Sequence, residues 1–213
     1  MLIMKNLTLL FIICLLAIPY AGNGQCGKRQ FYGKAGITFS AFGDNTVIRF
    51  TELAGTGSYD GTGFHSLGIN YVVSLNRWID SETGLEYSKH NLLVSPAPNP
   101  EIDHDPVEAS LSLITIPLSL RANFLRYFFF NGGMMLGLDA SAGNLAGSPV
   151  DSQTGIGALL GIGVRYDFRS GAAVFFNPYT RFHSLLPFSA GNYHQRAVEN
   201  GFRFGIAWDL EKL

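Results

Sequence analysis

His183 and Ser184 stand side by side in "TRFHSLLPF" (180–188). A histidine and a serine can perform acyl transfer, the imidazole taking the hydroxyl proton as the oxygen attacks a carbonyl. That chemistry requires both side chains within hydrogen-bond reach, and neighbours along a β-strand face opposite sides. The pair therefore works only where the strand has already ended, with Glu199 as a conceivable third, orienting group. A second cluster, "NPEIDHDP" (99–106), gathers Glu101, Asp103, His104 and Asp105. Such oxygen donors suit Ca²⁺, but the spacing is not that of an EF-hand loop. Four prolines, Pro96, Pro98, Pro100 and Pro106, account for the stiffness of the segment. The expectation here is a solvated acidic loop with no metal and no other cofactor.

The largest set of candidate residues is Glu82, Glu86, Arg121, Arg165, Asp167, Arg181, Arg203 and Asp209. Each stands in a segment where apolar and polar or glycine positions alternate, and each takes the polar parity. An isolated buried charge is expensive, so acids and bases enclosed together must pair or stay hydrated. These residues are expected to form an interior ion-pair network. Counting from the short turns puts Arg121, Arg165, Asp167 and Asp209 toward one end. Arg181 and Arg203 count higher, Glu86 lies near mid-strand and Glu82 below it.

Strands are the elements that must carry these charges. Eight stretches show period-two alternation or strand-like composition: 33–43, 63–75, 77–91, 107–123, 127–140, 153–168, 172–184 and 198–210. In "TGIGALLGIGVRYDF" (154–168), Ile156, Ala158, Leu160, Ile162, Val164, Tyr166 and Phe168 share one parity, opposite a face that is mostly glycine and then charge. In the last strand, Phe202, Phe204, Ile206, Trp208 and Leu210 oppose Arg203, Gly205, Ala207 and Asp209. The connections alternate between long (44–62, 92–106, 141–152, 185–197) and short (around Asn76, 124–126, 169–171). An up-and-down meander with every short turn at one end and every long loop at the other is the pattern of a membrane barrel. The expected fold is all-β, an eight-stranded antiparallel up-and-down transmembrane β-barrel with lipid outside and a crowded interior. Eight strands leave room only for packed side chains, which favours glycine and disfavours an open pore. In the fourth strand the polar parity changes near Leu113–Ile114, which predicts a β-bulge there, and Pro117 removes a ladder hydrogen bond.

Composition agrees. Charged residues are 15% of the 213, against roughly 25% in an average soluble protein. There are 17 Phe, 9 Tyr and 25 Gly. The formal net charge of −1 provides no footprint for nucleic acid. Lys5, the apolar run 7–20 and the small residues that follow read as a signal peptide over 1–24, cleaved after Sec export, leaving a barrel domain over 25–213. The apolar run is shorter than the ~20 residues of a spanning helix. Cys14 leaves with the leader, and Cys26 alone forms no internal disulfide. "GNGQCG" (22–27) matches G-x-G-x-x-G but has no strand before it and no helix after it, so it is not a nucleotide site. Arg196 in "YHQR" (193–196) offers one guanidinium to a lipopolysaccharide phosphate.

"LITIPLSLRANF" (113–124), "TGLEYSKHN" (83–91) and "ENGFRFGIAWDL" (199–210) resemble strands of the PorT-like, porin-family small outer-membrane barrels common in Bacteroidetes. The resemblance covers nearly all of the chain beyond the leader as a pattern. It implies a Gram-negative outer-membrane protein with a structural, surface-display or secretion-associated role and no catalytic residues to carry over. The chain departs from it by ending in "WDLEKL" rather than on an aromatic. The expected partners are outer-membrane lipid, lipopolysaccharide and the barrel-assembly machinery, and the expected state is a monomer. The alternatives are an outer-membrane lipid-modifying enzyme of the lipid A deacylase kind and a narrow solute channel. A soluble ligand-binding barrel is disfavoured, because it would expose Phe202, Phe204, Ile206 and Trp208 to water.

Overall fold

A computed structural model describes residues 33–49, 58–95, 106–141, 151–188 and 195–210. The expected leader (1–24), Cys26 and the acidic cluster Glu101–Asp105 lie outside the described residues. Eight strands follow one another: β1 Gly33–Arg49, β2 Ser58–Ser74, β3 Ile79–Ser95, β4 Val107–Phe124, β5 Phe128–Asp139, β6 Gly155–Asp167, β7 Ala172–Pro187 and β8 Gln195–Asp209. Each pairs antiparallel with its neighbour in sequence, and β1 closes on β8 through a register that includes Ile37 opposite Ile206 and Ser40 opposite Arg203.

Alternation sets which side chains enter the ring. On β2, Leu67, Ile69 and Tyr71 are exposed while Ser66, Asn70 and Val72 are buried. On β8, Phe202, Phe204, Ile206 and Trp208 are exposed around buried Arg203 and Ala207. Such a belt is the reverse of a water-soluble core and is what acyl chains require of a barrel wall. Aromatic residues border it at the short-turn end. Trp78, Tyr127, Tyr166 and Phe168 are exposed there, and the Tyr127 and Tyr166 rings stack at 6.1 Å. The 125–127 turn holds Leu125 and Arg126 at φ +49° and +67°, a left-handed backbone that a tight hairpin can impose on non-glycine residues.

Two expectations are corrected. The strands reach further toward the long-loop end than alternation suggested: β1 continues to Arg49 rather than stopping at Gly43, β2 begins at Ser58 rather than Gly63, β3 runs to Ser95, β7 to Pro187, and β8 begins at Gln195. The second correction concerns β4. Its register with β3 and with β5 is unbroken across Leu113 and Ile114, so the strand has no bulge there. Leu111, Leu113, Thr115, Ser119 and Arg121 all point inward and are buried. What changes along β4 is the chemistry of the interior, apolar above Thr115 and polar below. Pro117 does have a local effect: the ladder between β3 and β4 passes from Thr83–Leu118 to Glu86–Thr115, as a missing N–H requires. The register shifts lie elsewhere, at Ala41–Asp44 of β1, at Gly61–Gly63 of β2, and where Ile156 and Ala158 of β6 face Leu186 and Phe182 of β7.

Candidate functional site

The interior is layered, and β3 supplies a residue to every layer because its inward positions run the full length of the bore. At the short-turn mouth, Asp80 accepts hydrogen bonds from Arg165 Nη1 and Asn123 Nδ2, both at 2.8 Å. Arg165 also donates to Asp167 at 3.1 Å, and Lys34 pairs with the same Asp167. Asp209 is half-buried at this end, in register with Lys34.

The next layer centres on Glu82, which is fully buried. Arg121 grips it bidentately, Nε to Oε2 and Nη2 to Oε1 both at 2.7 Å. Arg203 Nη2 approaches Oε2 at 3.2 Å, and Asn70 donates to Oε1 at 3.0 Å. The Arg121 guanidinium lies between Phe129 and Phe175, 4.8 and 4.7 Å from the ring centroids. Such faces attract a cation while excluding water. The glycine parity of β6 and β8 makes room for these rings. A Cβ on Gly163 would strike the Phe129 ring, and one on Gly205 the Phe175 ring. The glycines noticed in the sequence are thus the floor on which inner aromatics rest.

Above it, Glu86 receives both terminal nitrogens of Arg181, at 2.5 and 2.8 Å. Arg181 Nη1 also approaches Glu199 Oε1 at 3.4 Å, and the Tyr179 hydroxyl donates to the same oxygen. Glu199 Oε2 faces two imidazoles, His90 Nε2 at 3.4 Å and His183 Nε2 at 3.5 Å. The His90 ring stacks on Phe64 at 5.5 Å and meets His183 edge-on at 5.7 Å. At the long-loop end Val47, Tyr59, Leu92, Val94, Leu111, Leu113 and Ala197 close over these groups as an apolar cluster.

The structure therefore brings Glu82, Arg121 and Arg203 together, joins Glu86 to Arg181, and leaves Arg165, Asp167 and Asp209 at the mouth. Counting from the turns had ranked Arg203 with Arg181. Its side chain instead joins Arg121 on Glu82. Arg196 is buried and donates to the Gln195 carbonyl at 2.6 Å, so it does not present its guanidinium to a surface phosphate. His183 and Ser184 are both buried because β7 carries extra residues there, with Ser184 at φ +49°. Their side chains are engaged apart: the Ser184 hydroxyl is directed at the Thr154 carbonyl at 3.4 Å, while His183 faces Glu199. His90 and Tyr179 escaped the sequence reading. His90 shares the parity of Glu82 and Glu86, and Tyr179 that of Arg181, so continuing the inward register past the charges would have found both.

Comparison of the sequence with protein-family models and with curated proteins finds no match. Comparison of the structure does. The solid-state NMR structure of the outer membrane protein AlkL in DMPC lipid bilayers is similar at a TM-score of 0.52 and 15% identity, over 87% of this chain and 94% of that one. The fold is that of a small membrane-spanning barrel. The crystal structure of the outer membrane protein OprG from Pseudomonas aeruginosa aligns at a TM-score of 0.44 and 15% identity, over 84% of this chain and 94% of that one. At 15% identity, the likeness to AlkL concerns architecture alone.

Proposed function

We propose that this chain is an integral protein of the bacterial outer membrane, exported through the Sec pathway, whose role is structural and interactive rather than catalytic. It acts as a rigid cylinder that holds four loops at one face. The observation that carries this reading is the cross-braced interior beneath a lipid-compatible belt. Glu82 pairs with Arg121 on the adjoining β4 and reaches across the bore to Arg203 on β8, and Glu86 pairs across it with Arg181 on β7. Charges in reciprocal pairs stiffen a wall, and they occupy the path a solute would need. A water-filled porin uses about 16–18 strands.

The three segments resembling PorT-like barrels fall on β3, β4 and β8, and we assign the chain to that group on their account. Lipid and lipopolysaccharide surround it as a monomer, and the barrel-assembly machinery inserts it. A lipid-modifying activity is disfavoured by the separate orientations of His183 and Ser184.

Cell fractionation with heat-modifiability tests the reading. The protein should sediment with outer membrane, migrate faster unboiled than boiled, and give no stable large conductance in a planar bilayer. Recovery as a detergent-independent monomer from periplasmic extract would overturn it. So would a reproducible large conductance, or release of fatty acid from lipid A.

A further inference from the structure

We infer that His90, His183 and Glu199 form a binding site for one divalent transition-metal ion of the zinc type inside the barrel. The three residues come from β3 and, across the bore from it, the adjoining β7 and β8, and all are buried to 2% exposure or less. Each offers one ligand atom, and the three atoms lie within 4.8 Å of one another. Glu199 Oε2 is 3.4 Å from His90 Nε2 and 3.5 Å from His183 Nε2. Tetrahedral zinc with bonds of about 2.0–2.1 Å separates its ligand atoms by roughly 3.3–3.4 Å. The carboxylate and each imidazole are thus already spaced as neighbouring ligands of one ion.

The hydrogen-bond inventory points the same way. Glu199 Oε1 is occupied by the Tyr179 hydroxyl and approached by Arg181. Oε2, by contrast, makes no hydrogen bond among the described residues, and neither does either ring nitrogen of His183. Unpaired polar atoms at this depth are costly, and a shared cation would satisfy Oε2 and one nitrogen of His183 together. Tyr179 and Arg181 hold the carboxylate so that its free oxygen faces the imidazoles. Phe64 fixes the plane of His90. The Ser88 hydroxyl lies 3.1 Å from His90 Nε2, a contact the metal would displace.

Charge permits the ion. Facing the site are Glu86 on β3, Arg181 on β7 and Glu199 on β8, two negative groups against one positive when both imidazoles are neutral, as ligands must be. Two nitrogens and one oxygen suit zinc and its first-row neighbours and do not suit Ca²⁺ or Mg²⁺, which take all-oxygen shells. The ion would join β3 to β7 and β8 across the bore, just below the apolar cluster at the long-loop end.

Metal content of the full chain, produced without a polyhistidine tag in zinc-supplemented cells and purified from membranes in detergent, tests this. The expected result is close to one zinc per chain, falling below a tenth in His90→Gln and His183→Gln variants that remain heat-modifiable. Co²⁺ supplied in place of zinc during production should give the visible absorption of a tetrahedral centre, which does not depend on any variant folding. Absence of both bound zinc and that absorption in the folded wild type would overturn the site. Zinc retained equally by the two histidine variants would do the same.

Discussion

Along β3 and β4 the two ends of the bore are built on opposite rules. Toward the short turns, the outward positions are Ile162, Val164, Phe204, Ile206 and their neighbours, and the inward ones are Glu82, Arg121, Asn131 and Arg203. Toward the long loops the inward positions of β3 and β4 are Leu92, Val94, Leu111 and Leu113, and their exposed outward positions include Asn91, Ser110 and Glu108, while Gln153, Gln195 and Arg196 remain buried on the other side of the ring. The same strands cross both regions, and β4 does so with no break in register. A polarity reversal along a continuous strand therefore records a change of solvent. Where lipid surrounds the wall, polar groups must turn inward and satisfy one another. Where water surrounds it, the interior can be an ordinary apolar core.

The sharpest way to break this comparison is to remove the acid at the centre of the lower half. Glu82→Ala strands Arg121 and Arg203 without a counter-charge in a buried site. Losing one partner of a buried pair costs about 3–5 kcal/mol, so urea unfolding from lipid vesicles, followed by tryptophan fluorescence, should shift strongly or show no folded form. In the upper half the equivalent test is a cavity. Leu113→Ala should cost about 2–5 kcal/mol, as a buried leucine does in a packed core, measured in the same unfolding assay. A change near zero would mean that the cluster at the long-loop end is not packed.

The outer surface sharpens the contrast. Leu160 projects outward from the middle of β6. An arginine near the bilayer midplane of a barrel costs roughly 2–4 kcal/mol, so Leu160→Arg should lower stability by that amount in vesicles. Ser110→Arg projects from the same kind of outward position on β4 but at the water-surrounded end. It should change stability by no more than about 0.5 kcal/mol. Equal costs at the two positions would erase the distinction between the regions.

The sequence revealed the lower half more fully than the upper. Period-two alternation is strong where lipid demands a uniform outer face, so the eight strands and the inward parity of Glu82, Glu86, Arg121, Arg181 and Arg203 were readable from residue type alone. The upper half was misread for the same reason. Ser110 and Ser112 occupy the parity of Ile114 and Ile116, and under one fixed solvent rule that implies a slip in register. The strand extensions beyond Gly43 and before Gly63 escaped because shifts at Ala41–Asp44 and Gly61–Gly63 interrupt the period. The partners in each layer were not legible. Glu86 and Arg181 are 95 residues apart, and which acid meets which base depends on barrel closure rather than on spacing.

The most direct measurement of the central claim is solvent accessibility at paired outward sites. Spin labels placed singly at Leu160 and at Ser110, in a background lacking Cys14 and Cys26 and reconstituted in vesicles, should respond oppositely to dissolved oxygen and to a water-soluble nickel chelate. The account predicts that Leu160 is relaxed by oxygen and shielded from nickel, while Ser110 is open to nickel. Nickel access at both sites would contradict a lipid-facing belt.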